Sequence, residues 1–267
     1  MSQEARDAWT LLVRRLNEGP LTLLGVPGPN RVLLDRARRA GALEGAIDDA
    51  SAPTARVVVP MTGATPSQRR SWERRGHELI DLTLPSVRRA HVTLGLLAAE
   101  GCRLVIAGHA GDAECRSIAG DRPGVALLED ADQAAALPFA PKTGMVMQTG
   151  ISGRRATAIG EALRFRFRDS PVQALDTRSP ALVACERALA AFGGWAELVL
   201  IVADPADASG RALYETARWL GLSAQRVGGP EALAGLDLSG LRRIGLSAGL
   251  YTTDEQIAAV EAVLAGP

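Results

Sequence analysis

The sequence predicts an α/β fold: three small αβα units with parallel sheets around a central cleft. Three observations predict it. Ten short apolar runs alternate with amphipathic stretches along the chain. Most of those runs are continuously apolar, the pattern of strands covered on both faces. Small and polar residues gather between the end of a run and the next helix, where ligand loops of parallel sheets lie. Strand–helix alternation in turn requires right-handed crossovers and parallel pairing.

In chain order, strands are predicted at 21–26, 56–60, 78–82, 103–107, 124–128, 144–148, 172–176, 197–203, 224–227 and 242–246. The clearest helical stretches are 86–100, 152–166, 181–191 and 211–220. A final helix opens on Thr252-Thr253-Asp254-Glu255, a capping-box pattern, and carries Ile257, Val260, Val263 and Leu264 as one apolar stripe. Turn-rich breaks at Leu84-Pro85 and 176–180 divide the chain into residues 1–84, joined by the tail 248–267, residues 85–175, and residues 176–247.

Composition excludes several classes of function. Thirty basic residues balance thirty acidic ones, so there is no electrostatic footprint for nucleic acid or an anionic membrane. No apolar run approaches the roughly 18 residues of a membrane span. The start, MSQEARDAW, has no apolar signal core, so a cytoplasmic protein is expected. Cys102, Cys115 and Cys185 are widely spaced, which gives neither a disulfide framework nor a paired metal knuckle. A small molecule is the expected partner, and no protein partner is named by the sequence.

Six loops carry the polar signal: 25–30, 61–65, 108–114, 148–152, 204–210 and 247–251. Each alone reads as a helix cap, because Ser, Thr and Asp are the preferred caps. Six together, each following a strand, point to a shared cleft.

From residue 56 onward these loops resemble the IspH (LytB) family of 4-hydroxy-3-methylbut-2-enyl diphosphate reductases. Asp81-Leu82-Thr83-Leu84-Pro85, with Val87 and His91, is similar to the family's D-A-T-C-P segment. Residues 101–114, GCRLVIAGHAGDAE, resemble G-x-x-I-I-x-x-G-H-x-G-H-P-E, and residues 146–152, VMQTGIS, resemble V-T-Q-T-T-L-S. Residues 197–213 occupy the place of the segment ending G-S-x-x-S-S-N-S-x-R-L, and residues 244–249, IGLSAG, resemble V-G-V-T-A-G. The resemblance implies three αβα domains around a central pocket.

Departures from the family pattern shape the functional expectation. The three cysteines that hold the family's iron–sulfur cluster correspond to Pro27, Leu84 and Arg178, and thiolates are what hold such clusters. The expectation is therefore no metal and no cofactor, with the 4Fe-4S cluster absent. Of the family's phosphate-binding histidines, one corresponds to Thr62 and one to Asp112, and its Ser-x-Asn pair becomes Asp207 and Ser209. Arg178 and Arg211 are the candidate new positive charges.

The expected catalytic residues are Glu114, Asp112 and His109, since paired carboxylates raise one another's pKa and histidine titrates near neutrality. The expected substrate-binding residues are Gln148, Thr149, Thr62, Asp207, Ser209, Arg178, Ser247 and Tyr251. His91 is expected to be packed and His77 exposed. The reading is a protein that binds a polar, possibly phosphorylated, small molecule and does non-redox acid–base chemistry: dehydration, hydrolysis or isomerisation. Its alternatives are a non-catalytic binding protein and a true reductase.

Overall fold

Continuously apolar strands need cover on both faces, and three parallel sheets provide it. The computed structural model describes residues 1–266. The first sheet follows helix α1 (Gln3–Asn17) and contains β1 (Thr22–Leu24), β2 (Leu43–Gly45), β3 (Arg56–Val59) and β4 (Glu78–Asp81), with α2 (Arg31–Arg39) and α3 (Pro66–Arg74) as crossovers. The second follows α4 (Pro85–Ala99). It contains β5 (Arg103–Ala107), β6 (Ala126–Leu128), β7 (Thr143–Met147) and β8 (Val172–Leu175), connected by α5 (Ala113–Ala119), α6 (Ala131–Ala135) and α7 (Gly153–Arg166). The third follows α8 (Pro180–Ala188). It contains β9 (Leu198–Val202), β10 (Ala224–Val227) and β11 (Ile244–Ala248), with α9 (Ala208–Trp219) between the first two and α10 (Asp254–Ala265) after the last.

Every strand pairing among the described residues is parallel. The strand orders are β2-β1-β3-β4, β6-β5-β7-β8 and β10-β9-β11. In each sheet the chain leaves its first strand to one side and returns on the other. That reversal is a topological switch point, and ligands bind at the carboxyl ends of the two strands flanking it.

Alternate residues of each central strand serve two cores. Leu104, Ile106, Val199, Ile201 and Val58 join the large central cluster with Leu94, Leu97 and Leu213 from the helices. Val105 and Ala107 face a second cluster with Met145 and Ile159. Leu198, Leu200 and Val202 face a third, sealed by Val260 of α10. Each large side chain buried in these double-sided strands contributes roughly 2 kcal/mol to stability.

Three expectations need correction. Strand β2 was not foreseen: Leu43-Glu44-Gly45 is a largely exposed edge with no apolar run to announce it. The last strand starts two residues late, because the Glu197 carboxylate accepts the backbone N–H of Arg242 (2.7 Å) and Arg243 (2.9 Å). Val263 of α10 is 54 % exposed and does not join the buried stripe.

Candidate functional site

The loops at the three switch points enclose one cavity of about 920 Å³. Residues after β1, β3, β5, β7, β9 and β11 all contribute to its wall.

Glu114 is a buried carboxyl in its wall. It stands in the first turn of α5, lines the cavity and is 5 % exposed. Its Oε1 accepts the Thr149 N–H at 2.6 Å, and its Oε2 accepts the Thr149 hydroxyl at 3.0 Å. Those bonds favour the carboxylate, but burial outweighs them, and the charges of Asp112 and Asp207 add to it. The Glu114 carboxyl is pushed up to about 7. A carboxyl at that value holds a proton or releases it at neutral pH, which suits a general acid or base.

Asp112 is the N-cap of α5, yet its side chain makes no capping bond. Its Oδ2 accepts the Gln148 amide at 2.7 Å instead. The Gln148 carbonyl oxygen accepts the His109 N–H at 3.0 Å, so the side-chain amide is fixed at both ends. Glycine at 108 lets the loops approach, since a Cβ there would lie 2.6 Å from Cys115 Sγ and 2.9 Å from Gln148 Cβ.

The third unit adds Asp207, the N-cap of α9 and 1 % exposed. Its Oδ1 accepts the Ser209 N–H (2.9 Å) and hydroxyl (2.6 Å), while its Oδ2 has no partner. Burial pushes the Asp207 carboxyl up. The Ser209 hydroxyl also accepts the Leu250 N–H at 2.8 Å, which ties α9 to the turn bearing Tyr251. Burial, followed by the nearby Glu114 and Asp207 charges, raises the Tyr251 phenol as well.

Glu114, Asp112, Gln148, Thr149, Thr62, Asp207, Ser209 and Tyr251 thus line one cavity. Three other candidates lie outside its wall. The His109 ring is 8 % exposed with Nδ1 3.9 Å from Glu129, and burial and the Arg211 charge push it down. Arg178 is clamped between Asp176 and Glu186, each at 2.8 Å. Ser247 is paired with Ile201 inside β11. His91 is half-buried, held at 2.9 Å from the Ser117 hydroxyl, and pushed down to about 4 by burial. His77, expected to be exposed, packs edge-on against Trp72 with centroids 5.1 Å apart.

Sequence reasoning missed Ser117 and Asn30. Ser117 lines the cavity one turn after Glu114, so its three-residue spacing on α5 was the available signal. Asn30 caps α2 and also donates to Tyr251 O and Gln256 Oε1, both at 2.7 Å, joining the first unit to the last turn.

Gly63 is held at φ +84°, and a Cβ there would collide with the Ser117 hydroxyl. Gly63→Ala is expected to destabilise the protein by about 1–3 kcal/mol. Thermal melting followed by circular dichroism checks this, and an unchanged midpoint would refute it.

The positions at which the resemblance implies an iron–sulfur cluster carry no thiolate. Pro27 and Leu84 are buried and apolar, and Arg178 is held in its ion pairs. Cys102 and Cys115 are buried and Cys185 half-buried, with all three thiols pushed up by burial. Among the described residues no group of three or more His, Cys, Asp or Glu could hold a metal ion. These residues do not fit such a cluster. No helix among them is long and apolar enough to cross a membrane.

A family model described as LytB protein matches residues 7–265. The 4-hydroxy-3-methylbut-2-enyl diphosphate reductase 2 of Mycobacterium bovis is 30 % identical over 239 residues, covering 87 % of this chain and 73 % of the relative. The 4-hydroxy-3-methylbut-2-enyl diphosphate reductase of Treponema pallidum is 29 % identical over 278 residues, covering 93 % and 73 %. The solved E-1-hydroxy-2-methyl-but-2-enyl-4-diphosphate reductase of Plasmodium falciparum superposes with a TM-score of 0.91 over all of this chain and 86 % of that one. Its identity is 17 %, so that likeness shows the fold. The expectation of no cofactor is corrected by these findings: the relatives are named reductases, and the reductases of the resembled family work with a 4Fe-4S cluster.

Proposed function

The chain belongs to the LytB family, and from that premise we propose that it binds a hydroxyl-bearing small molecule of the isoprenoid class in the central cavity. Glu114 is then the group that moves a proton at the hydroxyl. One observation carries this reading: a carboxyl 5 % exposed lines the cavity, is bonded to Thr149 through both oxygens, and is pushed up to about 7.

The chemistry follows from the protonation state. A protonated Glu114 gives its proton to the ligand's hydroxyl oxygen, which leaves with the bonding pair as water. The carbon left electron-poor then either loses a neighbouring proton to the Glu114 carboxylate, which restores the acid, or takes up two electrons from an external reduced electron carrier and a proton from solvent. The first outcome is dehydration; the second is a reduction of the kind named for the relatives. In both cases Thr149 orients the carboxyl. Asp112, fixed by Gln148, lies close enough to add to the upward push on Glu114.

The proton-holding role is tested without a substrate. Carbon-13 NMR of glutamate-labelled protein should show one carboxyl titrating near pH 7, absent from Glu114→Gln. If every glutamate carboxyl titrates in the ordinary range near 4.5, the proposal fails.

A further inference from the structure

Helices that start at the carboxyl ends of parallel strands offer their first N–H groups to anions. Around this cavity the chain's own oxygens already take those donors. At the start of α2 the Arg31 N–H donates to Asp204 Oδ2 and the Val32 N–H to Asn30 Oδ1, both at 3.0 Å. At the start of α3 the Gln68 N–H donates to Thr65 Oγ1 at 3.2 Å. At the start of α9 the Ser209 N–H donates to Asp207 Oδ1 at 2.9 Å. Two of these acceptors, Asp204 and Asp207, are buried carboxyls in the cavity wall. Asp204 reaches α2 from the third unit, so a carboxyl stands where a phosphate oxygen would otherwise be received. No side chain caps α5, but its first turn is itself acidic, with Asp112 and Glu114.

Charge points the same way. Asp48, Asp112 and Glu114 line the cavity with Asp204 and Asp207, whereas its basic residues, Arg31 and Arg116, are both exposed. Asp207 Oδ2 has no partner, so no cationic side chain of the chain offsets it. Burial pushes the Glu114 and Asp207 carboxyls up, the response of an acid to surroundings that disfavour an anion. A phosphate ester brought beside them meets like charge where its donors are already taken, and like-charge juxtaposition is a strong device for rejecting a partner.

We propose that the cavity takes its ligand as the free alcohol and rejects the phosphate and diphosphate esters of that alcohol. The hydroxyl end rests on the reading of Glu114 given above; the rejection rests on the occupied helix starts and the carboxyl-rich wall. An ammonium in place of the hydroxyl is accepted, because the same carboxyls pair with it through charge-assisted hydrogen bonds.

Titration calorimetry on the unaltered protein near neutral pH tests it with 3-methylbut-2-en-1-ol, 3-methylbut-2-en-1-amine and 3-methylbut-2-en-1-yl diphosphate, which share one hydrocarbon chain and differ in charge. The amine is expected to bind at least as tightly as the alcohol, and the diphosphate more weakly than the alcohol by about tenfold or more. A diphosphate that binds as tightly as the alcohol, or more tightly, overturns the proposal, as does an amine bound more weakly than the alcohol. The two readings fail separately. If the amine binds and neither the alcohol nor the diphosphate does, the hydroxyl assignment at Glu114 fails while the rejection of the ester stands. If the alcohol binds and the diphosphate binds more tightly still, the rejection fails while the hydroxyl assignment stands. A protein that binds none of the three loses both.

Discussion

Glu114→Gln is expected to cost at least a hundredfold in turnover and, at the same time, to make the protein more stable above pH 7. The two effects have one cause. In the folded chain burial raises the Glu114 carboxyl from its ordinary 4.5 to about 7. The native state therefore binds a proton that the unfolded chain releases at lower pH. The wild type pays no penalty below about pH 4.5, where both states are protonated. It loses stability as pH rises from 4.5 to about 7, and above that carries a penalty of about 3 kcal/mol. Glutamine has no proton to lose. Its Oε1 can accept the Thr149 N–H and its amide can donate to the Thr149 hydroxyl, so both contacts survive. The melting midpoint of the variant minus that of the wild type should grow between pH 4.5 and 7 and then level off. A difference that stays flat with pH removes the buried, proton-holding carboxyl. Turnover intact in the variant removes its role in the chemistry, where positioned acids and bases typically contribute 10²–10⁴-fold.

Much of this arrangement is legible in the sequence because it obeys local rules. Residues 103–107 and 197–203 read as strands because both of their faces are apolar, and the structure places each face in a different core. The cavity was legible from loop chemistry, since parallel sheets put such loops at one end. What was not legible depends on partners distant in the chain. Ser247 carries the same signal as Ser209, yet Glu197 holds Arg242 and Arg243 and moves the strand so that Ser247 lies within it. Arg178 looked like free positive charge because neither Asp176 nor Glu186 announces that it will turn toward it. The place of Ile47 in the cavity wall was not legible for a similar reason. Ile47 stands in a polar stretch, and only Trp72, twenty-five residues on, fixes it beside the cavity. The cofactor expectation failed differently. It was drawn from three residue types in this chain, whereas the activity named for relatives is a property of the family.

Trp72→Ala is expected to have the largest effect on stability. Trp72 is 0 % exposed and fills the core between Leu24 and Val57 on one face of the first sheet. Truncating a buried tryptophan typically costs 3–5 kcal/mol through lost burial and the cavity left behind. For a chain of this size that lowers the melting midpoint by on the order of 10 °C. Trp72→Phe separates the two contributions. It keeps most of the ring but loses the hydrogen bond to Ile47 O, a term of about 1 kcal/mol. That bond holds the segment bearing Ile47 and Asp48 against the cavity, whereas Glu114, Thr149 and Gln148 are carried by a different sheet. Trp72→Phe should therefore lower the melting midpoint by less than Trp72→Ala, with the Glu114 carboxyl still titrating near 7. Thermal melts and carbon-13 NMR titration on the same preparations decide the matter. A Trp72→Ala protein that melts with the wild type would show that this face of the first sheet is not a packed core. A Trp72→Phe protein that melts with Trp72→Ala would show that the hydrogen bond to Ile47 O, and not the ring, carries the stabilisation.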